Sequence, residues 1–152
     1  SQITDGAAIV VVMSEEKAVA LGYPTDISIL GHAFAGCDPK TMGLGPVYAV
    51  EKLLSRLRLR LSDMKFIELN EAFAVQVLAC LKEFKKRGSE INEDFLNVNG
   101  GAIALGHPIG ATGARLVLTL ANELRLKDVT GPALATLCIG GGQGGAMVIE
   151  RK

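Results

Sequence analysis

Residues 133–150 read ALATLCIGGGQGGAMVIE, two apolar runs on either side of a glycine-rich turn. The runs at residues 133–139 and 146–150 are short and apolar, which predicts two strands that form an antiparallel closing pair. Gly140, Gly142 and Gly145 also fit the G-x-G-x-x-G pattern of dinucleotide-binding folds. That fingerprint needs a helix after the glycines, whereas a strand follows here, so the pattern gives little support for a nucleotide site.

Upstream of this pair, short apolar runs alternate with segments of helical period. Predicted strands lie at residues 7–13, 27–34, 65–69 and 95–98. Predicted helices lie at residues 15–21, 71–87 and about 114–124, and in a segment after residue 45 that places Val47, Val50, Leu54 and Leu57 on one face. The alternation predicts an α/β fold, with a mixed, mostly parallel sheet covered by helices on both faces.

The composition limits the classes of function. The 152 residues are enough for one domain with a core, and sixteen basic residues balance sixteen acidic ones. The balance gives no electrostatic reason to expect nucleic acid or an anionic membrane as a partner, and no apolar run is long enough to span a bilayer. Three separated cysteines favour a reducing compartment, so we expect a cytoplasmic location, or a mitochondrial or peroxisomal one in a eukaryote. The chain opens at Ser1 and not at Met, which suggests a piece of a longer protein.

Three cysteines are candidates for chemistry. Cys138 ends an apolar run and precedes three glycines, so it is either a reactive thiol that acts as acid, base or nucleophile, or a buried structural cysteine. The local sequence leaves both interpretations open. Cys80 lies in a mostly apolar helix and is predicted to be core, and Cys37 is a loop thiol. No Cys and His have the spacing of zinc ligands, so we expect no metal site.

An imidazole and an amide are the other candidates. His107 lies between Gly106, which has wide backbone freedom, and Pro108, which fixes the next backbone angle. This arrangement aims a ring rigidly, and it favours a functional histidine over a loop histidine bonded to the backbone. Asn70 ends a strand just before a helix, where a helix N-cap is the commoner role. The alternative is an amide that holds a water or a carbonyl.

Three segments, taken together and in this order, resemble the C-terminal half of the thiolases, the acetyl-CoA acyltransferases. They are Asn70-Glu71-Ala72-Phe73-Ala74, Asn99-Gly100-Gly101 with Gly106-His107-Pro108, and Cys138-Ile139-Gly140-Gly141-Gly142. Residues 1–8 and Met42-Gly43 match as well, so the resemblance covers nearly the whole chain. It implies the layered thiolase fold, with residues 1–152 as the thiolase C-terminal domain. The related ketoacyl synthases share the fold but lack a catalytic cysteine at the position of Cys138.

The resemblance also implies catalytic roles in a ping-pong reaction through an acyl-cysteine. His107 would activate the nucleophilic cysteine and donate to a first oxyanion hole, and Asn70 would hold the water that completes this hole. Cys138 would move a proton to and from the α-carbon of the substrate. The Gly140 amide would serve a second oxyanion hole.

Substrate-binding residues are implied in the same way. Met42, Ala72 and Phe73 would line the acyl and pantetheine channel, and Ser1 would lie near the pantetheine arm. The substrates would be acyl-CoA and coenzyme A, with no cofactor. The nucleophilic cysteine of the family lies in an N-terminal half that this chain lacks, so we expect that half as a partner and a homo-oligomer in the full-length protein.

The function implied is therefore that of the C-terminal half of a thiolase. The parent enzyme would cleave 3-ketoacyl-CoA to acetyl-CoA and a shortened acyl-CoA, or run the reverse Claisen condensation, and the isolated chain would be inactive. Two alternatives remain: a non-catalytic thiolase-like protein that binds acyl chains or lipids, and a stand-alone interaction domain. The catalytic interpretation predicts that Asn70, His107 and Cys138 converge on one pocket at one edge of the sheet.

Overall fold

A computed structural model describes residues 2–152, which form a layered α/β fold. The strands are β1 (Ile27–Gly36), β2 (Ile67–Leu69), β3 (Gly131–Ile139) and β4 (Gln143–Arg151). The helices are α1 (Glu15–Ala20), α2 (Gly45–Leu57), α3 (Ala74–Lys86), α4 (Ala102–Leu105) and α5 (Ile109–Leu126), and 3₁₀ turns lie at Pro39–Leu44, Leu61–Asp63 and Glu93–Phe95. The four strands form one sheet in the order β1-β4-β3-β2.

The turn between β3 and β4 sets the relative direction of these two strands. Gly141 and Gly142 have φ angles of 85° and 90°, a left-handed backbone that glycine adopts without strain. The turn folds β4 back antiparallel to β3, and β1 then pairs antiparallel with the other edge of β4. Only β2 pairs parallel, with β3. The prediction of a mixed sheet is confirmed, but its mostly parallel character is wrong within residues 2–152, because the tight turn makes β4 antiparallel to β3 and β1 also joins β4 in the antiparallel direction.

Helices cover both faces of the sheet, as predicted. Residues of β3 alternate between the faces, so that Leu134 packs on one side while Ala133 and Ala135 pack on the other. Leu134 lies in a core with buried residues of α2 and α3, namely Val47, Val50, Leu53, Leu54, Cys80 and Phe84. On the opposite face, α5 contributes Leu116, Leu120 and Leu124, each at most 1% exposed. Burial of each leucine stabilises the fold by roughly 2 kcal/mol.

Two predicted strands are not formed. Residues 7–13 form no helix or strand and pair with no strand of the described chain, and Ile9, Val11 and Val12 stay exposed. Their apolar pattern indicates burial, but it does not specify a pairing partner. In the segment 95–98 a 3₁₀ turn is followed by a single parallel bridge from Leu96 to Ile67.

Two helices have different starting points from those predicted. The last helix, α5, begins at Ile109, several residues earlier than expected, because Pro108 has a backbone angle suited to the position before a helix. The glycines that follow Pro108 are helical and not part of a loop. Helix α3 begins at Ala74 instead of Glu71, and the Glu71 carboxylate accepts hydrogen bonds from Asn97 and from the backbone of Ile103.

Candidate active site

The end of β2 places Asn70 at the carboxyl edge of the sheet. The backbone N–H of Asn70 donates to the backbone carbonyl oxygen of Thr136 at 2.9 Å, which extends the parallel pairing of β2 and β3 by one bond. The Asn70 side chain is fully buried. Cys138 lies two residues beyond Thr136 on β3, about 7 Å farther along the neighbouring strand. Asn70 and Cys138 therefore lie at the same edge, where α/β folds commonly bind ligands.

His107 is held between the end of β2 and the start of α5. Its Nε2 lies 3.3 Å from the Nδ2 of Asn70, and its Nδ1 lies 2.6 Å from the Oγ1 of Thr112. Gly106 has a φ of 96°, and Pro108 has a φ of −69°. The residues on both sides thus fix the backbone, and both ring nitrogens have partners, so the ring is held in one orientation.

The surroundings of His107 favour a neutral ring. Partial burial lowers the pKa of His107 below its usual range, because burial disfavours the charged form, and the positive charge of Arg115 lowers the pKa further. At neutral pH the imidazole is therefore mostly uncharged, with one ring nitrogen able to accept a proton.

Cys138 is a buried thiol near the end of β3, on the face of the sheet opposite to α5. It shares a strand face with Leu134 and Thr136, and it is 9% exposed. Burial raises the pKa of its thiol, so the group is protonated at neutral pH. Among residues 2–152, no hydrogen bond joins Cys138 to Asn70 or His107. Gly140 follows in the exposed turn between β3 and β4.

The residues expected to line the substrate channel lie around the start of α3. Ala72 and Phe73 directly precede the helix, and Phe73 is 47% exposed. Met42 lies in the 3₁₀ turn Pro39–Leu44, which is joined to α3 by a hydrogen bond from the Cys80 thiol to the Gly43 carbonyl at 3.1 Å. Cys80 is fully buried, as predicted for a core residue, and burial raises its pKa to about 11. Ser1 lies outside the described residues.

Glu71 supports the loop that carries His107, and the sequence did not single it out. One carboxylate oxygen accepts a hydrogen bond from Asn97 Nδ2 and the other from the backbone N–H of Ile103, both at 3.0 Å. A Cβ at Gly101 would collide with this carboxylate. The Asn97 side chain also pairs with the backbone N–H and C=O of Leu69, at 2.9 Å each. The loop is therefore bonded directly to the end of β2.

An ion pair fixes α5 against β2. The Nη1 of Arg115 donates to the Oε2 of Glu68 at 2.9 Å, and Glu68 is 1% exposed. Burial raises the pKa of Glu68 to about 7, although Arg115 acts in the opposite direction. Glu68 lies on β2 and Asn70 directly follows it, two residues on, so the two share a face, which is the face that α5 covers. The pair thereby sets the distance between the strand bearing Asn70 and the helix bearing Thr112.

The described residues contain no cluster of three or more His, Cys, Asp or Glu side chains that could hold a metal ion. The part of the chain that the structure describes also contains no helix that is long and apolar enough to cross a membrane.

The site combines an amide–imidazole pair with a buried thiol near the ends of two neighbouring strands of a layered α/β sheet. The family described as "Thiolase, C-terminal domain" matches residues 23–151, and the chain belongs to this family. The match confirms the resemblance that the three sequence segments indicated.

Known relatives agree with this family. The chain is 51% identical over 151 residues to the 3-ketoacyl-CoA thiolase of Vibrio parahaemolyticus. The match covers 99% of this chain but only 38% of that relative. It is also 51% identical to the 3-ketoacyl-CoA thiolase of Shewanella loihica, with the same coverage. The chain thus spans well under half the length of these relatives.

Solved structures confirm the thiolase fold. The Bacillus anthracis acetyl-CoA acetyltransferase has a TM-score of 0.85 and 44% identity, over 92% of this chain and 34% of that one. Human mitochondrial 3-ketoacyl-CoA thiolase has a TM-score of 0.83 and 42% identity, over 91% of this chain and 34% of that one. One of the matching human structures is a complex with CoA.

Proposed function

We propose that this chain supplies the C-terminal half of a thiolase active site. The whole enzyme cleaves a 3-ketoacyl-CoA to acetyl-CoA and a shortened acyl-CoA, or runs the reverse Claisen condensation. The observation that carries this proposal is the contact of a buried amide, Asn70, with a neutral imidazole, His107, at 3.3 Å. The thiolase names of the relatives support the same reaction.

In the cleavage direction, the first step is attack on the 3-keto carbonyl by a cysteine of the N-terminal half. His107 accepts the thiol proton at Nε2, and a neutral ring suits this task. His107 and a water held by Asn70 then stabilise the negative oxygen that forms in the transition state. The carbon–carbon bond breaks, and its electron pair passes to the α-carbon of the departing acetyl-CoA.

Cys138 acts at that α-carbon. A proton moves from its thiol to the carbanion and completes acetyl-CoA, and the raised pKa of Cys138 keeps the proton on sulfur until then. The thiol of coenzyme A next gives its proton to the Cys138 thiolate and attacks the acyl-cysteine, and the cysteine leaves with the proton that His107 holds, which releases the shortened acyl-CoA. The Gly140 amide stabilises the oxygen of that second tetrahedral intermediate. Coenzyme A thioesters are substrates in this scheme, and no cofactor takes part.

The residues proposed to bind substrate are those around the start of α3. Met42, Ala72 and Phe73 line the channel for the acyl chain and the pantetheine arm, and the half-exposed Phe73 ring fits an apolar wall. The human relative bound to CoA supports a coenzyme A thioester as the ligand.

The partner that we propose is an N-terminal thiolase half, within a homo-oligomer. The apolar segment 7–13 supports this proposal, because Ile9, Val11 and Val12 are 81%, 76% and 68% exposed, and such a segment gains stability when covered. Three free cysteines fit a reducing compartment such as the cytoplasm.

A chimera tests the proposed function. This chain replaces the matching segment of the Vibrio parahaemolyticus thiolase, and thiolysis of acetoacetyl-CoA is assayed with the parent enzyme as the reference. We expect turnover that is lost in the His107→Ala chimera. A folded chimera that binds acyl-CoA without turnover would instead support the non-catalytic acyl-binding alternative. A chimera that neither binds acyl-CoA nor turns over would support the stand-alone interaction domain.

A further inference from the structure

Thr112 forms the far end of a hydrogen-bonded chain that ends at the candidate active site. Its Oγ1 lies 3.0 Å from the carbonyl oxygen of Pro108 and 2.6 Å from the Nδ1 of His107. The Nε2 on the other side of the same ring lies 3.3 Å from the Asn70 amide nitrogen. Thr112 is 1% exposed and Asn70 is fully buried, so water does not compete freely for these groups.

The number of protons available to these hydrogen bonds selects a tautomer of the His107 ring. A carbonyl oxygen only accepts, so the single hydroxyl proton of Thr112 must point to Pro108 for that bond to form. The Thr112 oxygen then accepts from His107, which places a proton on Nδ1. The Nε2 of the neutral ring is left with a lone pair, and it accepts a hydrogen bond from the Asn70 Nδ2.

From these hydrogen bonds we infer that Thr112 is a positioning residue that holds neutral His107 in its Nδ1–H tautomer, with the Nε2 lone pair directed at the active site. The inference rests on the proposed function for its catalytic meaning, because Nε2 is the atom that accepts the thiol proton there. Nδ1 keeps its proton in both charge states of the ring, so the bond to Thr112 persists while Nε2 gains and loses a proton.

The opposite tautomer fits the same atoms less well. If Thr112 donated to Nδ1, its bond to the Pro108 carbonyl would be lost, and the proton on Nε2 would face the NH₂ group of Asn70. The amide would have to turn over, which would bury its NH₂ group without this partner. In the observed arrangement Asn70 leaves only its Oδ1 without a partner, and that oxygen can accept from a water.

Nitrogen NMR of the folded 152-residue chain tests the tautomer without any assay of activity. The chain has two histidines, His32 and His107, so a His32→Gln variant labelled with ¹⁵N-histidine reports His107 alone. At a pH above the transition of the ring, we expect Nδ1 at the shift of a protonated nitrogen and Nε2 at that of an unprotonated one. The reverse pair of shifts overturns the inference.

Two substitutions test the part played by Thr112. Thr112→Ser keeps the hydroxyl and should retain both shifts, whereas Thr112→Val has nearly the same shape and should move the two shifts toward each other. Unchanged shifts in a folded Thr112→Val chain overturn the inference. If that variant does not fold, the shifts of the unmodified residue still decide the tautomer.

In the active chimera, Thr112→Val should lower kcat about 10–100-fold with little change in KM, the cost typical of removing a group that orients a functional histidine, and Thr112→Ser should restore most of it. Equal losses for Val and Ser overturn the positioning role. An inactive chimera with Thr112 intact overturns the proposed function, while the NMR shifts still decide the tautomer independently.

Discussion

Asn70 and His107 lie 37 positions apart in the sequence and meet at 3.3 Å through their Nδ2 and Nε2 atoms. The contact depends on two connections that do not involve either residue. Arg115 on α5 pairs with Glu68 on β2, and the Glu71 carboxylate accepts a hydrogen bond from the backbone N–H of Ile103, in the segment that leads to His107. The geometry of the candidate active site is thus set by an ion pair and a carboxylate that themselves do no chemistry in the proposed reaction.

Removal of either partner in this contact should affect turnover more than binding. In the active chimera, His107→Ala and Asn70→Ala should each lower kcat about 10²–10³-fold with a smaller effect on KM, because oxyanion contacts strengthen in the transition state. His107→Ala should have the larger effect, because it also removes the base. Lys127→Ala, at an exposed position, is the matched control. A change confined to KM would make the residue a binding group.

The chain by itself should show no thiolysis of acetoacetyl-CoA. The proposed mechanism takes its nucleophile from an N-terminal half, and Cys138 is a buried thiol with a raised pKa, which makes a poor nucleophile. Steady-state assays of the purified chain, with the chimera as positive control, measure this directly. Turnover that disappears in a Cys138→Ser chain would show that this residue is itself the nucleophile.

The Glu68 carboxyl should make the chain less stable as the pH rises. Its pKa is raised from 4.5 to about 7, so between these values the folded chain holds a proton that the unfolded chain has lost. Raising the pH therefore favours unfolding, by up to about 3 kcal/mol in total. Denaturant unfolding at pH 5 and pH 7 measures this. Glu68→Gln should reduce the dependence, and an identical pH slope in that variant would contradict the prediction.

Alkylation should distinguish the three cysteines. Cys37 is partly exposed, Cys138 is 9% exposed with a raised pKa, and Cys80 is fully buried with a pKa of about 11. Because the thiolate is the reactive form, iodoacetamide should label them in the order Cys37, Cys138, Cys80. Mass spectrometry of the native chain over time measures the order, and unfolded chain provides the control. Labelling of Cys80 first would show that α3 opens readily.

The exposed apolar segment should cause the chain to self-associate. Ile9, Val11 and Val12 are 81%, 76% and 68% exposed. Light scattering over a dilution series should show a mass that falls toward the monomer. Val11→Glu should weaken association, whereas Leu126→Glu, at an exposed apolar position on α5, should not. A monomer at all concentrations would favour the stand-alone interaction domain.

Much of the secondary structure could be predicted from local pattern alone. The apolar runs of β1, β3 and β4 and the periodic faces of α2 and α3 lie close to their predicted places. Strand direction could not be predicted in the same way, because it depends on which edge a strand joins. Residues 7–13 show the same limit, since an apolar run specifies burial but not a partner.

The candidate active site was predictable to a similar extent. Strand ends and glycine turns indicated Asn70, His107 and Cys138, and the structure brings the first two into contact at the sheet edge that Cys138 shares. Thr112 and Glu71 could not be found in this way. Their importance comes from which atoms they meet across the fold, and no local spacing encodes that.

The residue at position 101 limits which side chain can stand at position 71, and the reverse also holds. Its φ of −107° is open to any residue, so its backbone does not require glycine. The space where a side chain would begin is instead filled by the carboxylate of Glu71. A methyl group at position 101 would displace that carboxylate and, with it, the loop leading to His107. A larger residue at position 101 therefore requires a shorter side chain at position 71, so a non-glycine residue at 101 should occur together with a smaller residue at 71 in homologous sequences.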